Sequence, residues 1–333
     1  MTRRVFVALS LGGVAVATWL VLTRSGPAPE ALLALAPANH AAAFATTVVD
    51  TVLRAARLVV LGTAMGIQIP LSASIRAHLA ADGAAAVAPV RFGSDAAKAL
   101  VLRRHHIRGG HIGALMVGEA VCEATMLLFC AAVLVLSLDV PLLATTGPLA
   151  WSLGNLALVA FAVRLAPSRD ARAPRILTRL RMSEQRWGRI KRIAADFREA
   201  AGRLRRMGRI HLALLALTTL GHIAARLLTL PALVGPGVAL ANPEPLFGWP
   251  FFLLYGGRLI PAPGGAGLIE TGFAATVAGH VPDARLGSLA FWWRFYTFHL
   301  VAIAGWLTFV AASGRRKRGG VDGGSMGDGR ATR

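Results

Sequence analysis

Leu259-Ile-Pro-Ala-Pro-Gly-Gly-Ala-Gly-Leu-Ile-Glu270 lies between two apolar runs, residues 245–258 and 271–280. Neither run can cross a bilayer alone, because a spanning helix takes about 20 apolar residues. Pro261 and Pro263 stop a helix, since proline lacks the N–H and its ring clashes with the preceding turn. Gly264, Gly265 and Gly267 permit backbone angles that other residues resist. Non-helical backbone at membrane depth persists only inside protein or along a water-filled cavity. Two short helices meeting at such a break read as a re-entrant hairpin; a turn between two ordinary helices outside the bilayer is the alternative. Glu270 opens the second short helix, and an ionisable group at that depth is a functional candidate. A carboxylate in a first helical turn also caps free N–H groups, so capping and binding are both open roles for it.

Composition sets the same scene. Of 333 residues, 55% are hydrophobic, and the mean hydropathy is +0.57. That marks an integral membrane protein. The 36 Lys and Arg against 16 Asp and Glu leave a formal charge of +20. In a membrane protein this excess belongs in cytoplasmic loops, so nucleic acid is not an expected partner. Cys122 and Cys130 lie on one expected helix, roughly 12 Å apart by helical rise, too far for a disulfide. No metal-ligand spacing surrounds them.

Toward the C-terminus, residues 286–312 form a last helix with Trp292, Trp293, Arg294, Tyr296 and His299. Residues 313–333 are basic, then Gly-rich, and read as a disordered cytoplasmic tail. Toward the N-terminus, residues 210–234 form a spanning helix with His222 and Arg226. Before it, residues 167–209 hold fourteen Lys or Arg against four acids, half of the chain's net charge. That places the 168–209 loop in the cytoplasm. Ile190, Ile193, Phe197 and Leu204 recur at helical spacing, so part of the loop reads either as a basic amphipathic helix on the membrane surface or as a solvated orientation signal.

The first half has a related pattern. A basic start at 1–4 precedes an apolar run, 5–22, read as an uncleaved first helix with its N-terminus inside. A Pro/Ala-rich outer loop, 25–39, leads to a segment from about residue 41 to 69 with Asp50, Arg54 and Arg57. Asp50 and Arg54 are spaced to pair on one helix face; equally, the helix ends near Leu53 and the arginines stay at the interface. Residues 71–88 are weakly apolar, interrupted by Arg76, His78, Asp82 and Gly83. They meet a second short segment at Pro89-Val-Arg-Phe-Gly93-Ser-Asp95. Pro89 to Gly93 repeats the spacing of Pro263 to Gly267, and an acid follows each. Paired broken helices in two halves point to the site of an inverted-repeat transporter. Two spanning helices follow, 111–138 with Glu119 and Glu123 on one face, and 142–165 with Trp151 and Asn155.

Charge parity is satisfied by about six spans if the first hairpin enters from the cytoplasm and the second from outside. The fold expected is therefore an all-α polytopic membrane protein, six spanning helices plus two re-entrant hairpins in an inverted repeat, with both termini cytoplasmic. One transmembrane domain covers 1–312 and the tail 313–333.

These residues resemble the flippase-like membrane family named after the lysylphosphatidylglycerol synthase transmembrane region. Its late Pro-x-Pro-Gly-Gly-x-Gly-x-x-Glu is matched position by position from Pro261 to Glu270. Its earlier Pro-x-Arg-x-Gly-Glu is met by Pro89, Arg91 and Gly93, with Ser94-Asp95 in place of the acid and Lys98 as the following cation. Its Glu-Arg with a later acid is met by Glu119 and Glu123, but Ala120 replaces the arginine. Arg294 also fits. The resemblance implies translocation of a lipid or lipid-linked headgroup in a bacterial inner (cytoplasmic) membrane. The family's synthase fusions add a soluble aminoacyl-transfer domain; a stand-alone member without it is expected here.

The leading function is a lipid flippase or transporter with a polar cavity where the hairpins meet. Arg91 and Arg294 are the candidate phosphate partners. Asp95, Glu119, Glu123 and Glu270 are candidates for a cationic headgroup part or a coupling proton, and Pro263, Gly264, Gly265 and Gly267 shape the break. Arg294 is expected to face Glu119 or Glu123. The expected partners are membrane lipids with anionic or phosphate-bearing headgroups. Two other readings stay open: a non-transporting membrane partner of a lipid-modifying or glycosyl-transfer enzyme, and an intramembrane transferase with Glu270 as base. No cofactor, metal site or catalytic constellation is expected.

Overall fold

Pro37 starts the first long helix among the described residues. Its missing N–H would be unsatisfied there anyway, and its fixed φ suits a helix start. The computed structural model describes residues 32–33, 35–86, 92–165, 183–235, 244–259, 265 and 268–308. The segment expected from about residue 41 is α1, Pro37–Ala64. It is followed by α2, Leu71–Ala85, and α3, Phe92–Arg103. The long apolar run became α4, Gly109–Ser137, and α5 is Leu143–Leu165. Then come α6, Glu184–Arg205, α7, Arg209–Leu227, and the short α8, Thr229–Val234. The expected first helix at 5–22, Arg91, Pro263, Gly264, Gly267 and the tail lie outside the described residues.

The run before the Pro/Gly break is helical but uneven. Glu244–Gly248 and Phe252–Gly256 are wide π-type turns around Trp249–Phe251, and Gly257–Leu259 tightens to a 3₁₀ turn. After the break come α9, Leu268–Val277, and α10, Asp283–Arg294. A π-type turn, Phe295–His299, carries α10 onward to residue 308. Gly265 has φ +70°, the left-handed region that favours glycine. A Cβ there would also stand 2.6 Å from Ile269 Cδ1.

The regular structure among the described residues is helical apart from a single bridge between Ala278 and Val281. Among the described residues, two helical stretches are long and apolar enough to cross a membrane, Gly109–Ser137 and Arg209–Val234. On α5, Leu153, Leu158, Phe161 and Val163 are exposed, a larger apolar surface than water-facing helices carry.

The helices pack as two groups. α1 lies against α7, α8 and α2, while α2 packs along α3. The first core gathers Leu58, Leu61, Met65, Leu102 and Leu115. The second gathers Leu127, Leu230, Phe251, Tyr255, Phe273 and Trp293, with the Phe273 and Trp293 rings stacked 4.9 Å apart. α2 crosses the last helix at Gly83 and Gly305, where a Cβ on either would run into the other chain segment's backbone.

The basic loop contains a helix whose apolar stripe is divided. Ser183 caps α6 by accepting from Arg186 N at 3.3 Å; Ile190 and Ile193 stay exposed, while the rest of the stripe turns inward. Phe197 and Leu204 pack into the first core. Gly110 of α4 lets the two helices touch, because a Cβ there would strike the Ile193 carbonyl and Asp196. Arg203 Nη1 donates to Met65 O at 2.9 Å, binding a carbonyl at the end of α1. An apolar stripe looks alike to lipid and to a neighbouring helix; small residues on α4 seat the inward half of this one.

Candidate functional site

Positions 50, 54 and 57 fall on one stripe of α1 by helical geometry. All three side chains are buried, so the interface alternative for the arginines fails. Arg54 donates to both carboxylate oxygens of Asp82 on α2, at 3.1 Å and 2.9 Å. It also lies 3.4 Å from Asp50. Two parallel bonds to one carboxylate orient the guanidinium as well as bind it.

α4 supplies the acids. Lys98 Nζ on α3 donates to Glu119 Oε2 at 2.8 Å. His78 Nε2 on α2 stands 3.3 Å from Glu119 Oε1, close but not aligned as a hydrogen bond. One turn along, Glu123 Oε1 accepts from Arg258 Nη1 at 2.6 Å. Arg57 Nη2 sits between the two acids, 3.6 Å from Glu119 and 3.9 Å from Glu123. The Arg258 guanidinium lies over the rings of Tyr255 and Trp151, 4.6 Å and 5.8 Å from their centroids. Arg226 Nη2 donates to Thr297 O at 3.2 Å.

These groups surround a cavity of about 190 Å³. Its wall holds five cations, Arg54, Arg57, Lys98, Arg226 and Arg258, against four acids, Asp82, Asp95, Glu119 and Glu123. Ser94, Trp151 and Asn155 complete its polar rim. The Nε atoms of all four arginines are buried without a hydrogen-bond partner. Those atoms have almost no accessible surface, so what the arginines offer the cavity is their charge and the outer edges of their guanidinium groups. Among the described residues, no His, Cys, Asp and Glu side chains gather as a metal site.

Of the sequence candidates, Asp95, Glu119 and Glu123 come together here. Glu270 and Arg294 do not line this cavity. Arg294 Nε donates instead to Glu270 Oε1 at 2.8 Å, so the expected pairing of Arg294 with Glu119 or Glu123 is wrong. Those acids are held by Lys98, His78, Arg57 and Arg258. Rotation about the helix axes decided this, and spacing along the chain does not reveal it.

Sequence reasoning passed over Arg258, His78 and Asp82 as site residues. Two signals were present: a lone cation ending an apolar run at Arg258, and the i,i+4 spacing of His78 and Asp82.

The family model described as Lysylphosphatidylglycerol synthase TM region matches residues 5–305, most of the chain. The chain belongs to that family. A lysylphosphatidylglycerol synthase TM region is a membrane domain, so the chain is a membrane protein with a lipid-related role. No protein of curated function matches the chain in sequence. In this TM-region protein the family motif at 261–270 ends at Glu270, whose partner Arg294 is the later cation noted with it.

Proposed function

We propose that this protein is a lipid flippase that receives an anionic, phosphate-bearing headgroup in the cavity between α1, α2, α3, α4 and α7. The observation that carries the reading is the set of four arginines, Arg54, Arg57, Arg226 and Arg258, lining one polar cavity. Each can donate to a phosphate oxygen, and a charged acceptor roughly doubles the strength of such a bond. The volume supports a headgroup rather than a whole lipid: about 190 Å³ is smaller than the roughly 300–1,000 Å³ of pockets that enclose drug-sized ligands. The acyl chains stay in the bilayer while the headgroup crosses.

Arg258, Arg57 and Arg226 hold the phosphate, and Glu123 yields Arg258 to it. Glu119, fixed by Lys98, and Asp95 select any cationic part of the headgroup. The inner-membrane setting, the cytoplasmic termini, the two re-entrant hairpins and the absence of intrinsic enzyme activity belong to the same proposal. An inverted repeat is supported by two equivalent ion pairs. Lys98–Glu119 ties the second arm of the first broken segment to the helix after it, and Glu270–Arg294 does so in the second half.

Reconstitution with a fluorescent short-chain phospholipid tests the reading. The purified protein should move the label between leaflets without altering it, and Arg258→Gln should abolish movement. A modified lipid product would support the transferase reading. Neither movement nor product would leave the enzyme-partner reading.

A further inference from the structure

Behind the cavity, hydrogen-bond chemistry fixes the position of one proton. His222 on α7 is 1% exposed. Its Nε2 lies 3.1 Å from Arg57 Nη1. A guanidinium only donates, so Nε2 accepts and carries no hydrogen. The hydrogen is then on Nδ1, which donates to Asp50 Oδ1 at 3.3 Å. His222 is neutral as long as Arg57 keeps this position.

Arg57 lines the cavity, and His222 lies directly behind it. The contacts of Arg57 to Glu119 and Glu123, 3.6 Å and 3.9 Å, are too long for good hydrogen bonds. The guanidinium is thus shared between an imidazole and a cavity, with its Nε unused.

We propose that His222 is a proton-binding site coupled to occupancy of the cavity. A phosphate-bearing headgroup draws Arg57 off His222 Nε2, and the freed nitrogen takes a proton from solvent while Asp50 balances the imidazolium. The inference rests on headgroup binding as proposed above and adds what drives it. One negative and one positive charge enter together, so the occupied site carries the same net charge as the empty one. This limits the cost of charge inside a membrane. Linkage is reciprocal: the anion promotes protonation, and the proton promotes anion binding by the same factor.

The other charges around His222 balance one another, so the Arg57 contact decides its resting state. Asp50 and Arg57 face it from α1; Arg54 stands behind Asp50, Glu119 and Glu123 of α4 stand behind Arg57, and Arg226 lies one turn away on α7 itself. α8 brings no ionisable side chain. Arg294 of α10 is matched by Glu270, and His299 follows it on the continuation of that helix.

The test is proton uptake on binding. Dihexanoyl phosphatidylglycerol keeps one negative charge from about pH 6 to 8, the range where histidine changes charge, so any proton taken up belongs to the protein. In weakly buffered detergent with a pH dye, the full-length protein should take up about one proton per lipid bound. His222→Gln, whose amide both donates and accepts but does not titrate, should bind the lipid with none. Should that variant fail to insert, Asp50→Asn removes the balancing carboxylate and should cut the uptake at least by half. Binding without uptake, or equal uptake in these variants, overturns the coupling and leaves headgroup binding intact. No binding by the unaltered protein overturns both.

Discussion

Arg294 Nε donates to Glu270 Oε1 at 2.8 Å, with 3% and 2% of the two side chains exposed. The Lys98–Glu119 pair in the first half has the same 2.8 Å separation and the opposite polarity. There the cation is on the short arm and the acid on the following helix. Removing one member of a buried pair strands the other charge, at about 3–5 kcal/mol. Glu270→Gln should therefore lower thermal stability in detergent well below that of the unaltered protein. Adding Arg294→Leu should recover part of the loss. Strictly additive losses in that double-mutant cycle would argue against a coupled pair.

Arg258 couples two contacts, the short bond to Glu123 and the stack on Tyr255 and Trp151. Lysine keeps the charge but lacks the planar fork and stacks poorly. A desolvated cation–π contact is worth about 2 kcal/mol. Arg258→Lys should thus slow lipid movement by about tenfold or more while leaving expression unchanged. A rate equal to that of the parent would remove stacking from the account.

Gly305 is packed against the α2 backbone at Leu79 O and Gly83. Backbone cannot rotate aside as a side chain can. Gly305→Ala should give a poorly inserted protein with a broad or early elution peak in size-exclusion chromatography. Gly154→Ala is the control, since nothing lies within 4 Å of its added Cβ. Equal behaviour of the two variants would show that the α2 crossing yields.

Single cysteines at Ser94 and Ala266, in a background without Cys122 and Cys130, should react with impermeant reagents from opposite faces of the membrane. Labelling of both from one face would sink the opposed entry of the two broken segments.

Much of this was legible in the chain. Each expected helix within the described residues formed within a few residues of its apolar boundaries, because hydropathy and Pro/Gly breaks are local signals. Glu119 and Glu123 stood out as acids inside an apolar run. Their partners did not. Arg57 and His222 meet only because α1 and α7 pack with particular faces together, a property of two helices at once. The same holds for Arg294, whose charge announced a partner without naming it.

The seating of α6 on α4 has a consequence for how the polypeptide is assembled. Although α6 precedes α7 directly in the chain, its apolar contacts and the Arg203 bond to Met65 O belong to the group formed by α1 and α4. A backbone cut within residues 166–182 would leave α6 on the C-terminal fragment and its docking groove on the N-terminal one. The two fragments, co-expressed, then carry a built-in address for each other. Split-protein complementation becomes a natural property of this architecture, and a scrambled α6 stripe would erase it.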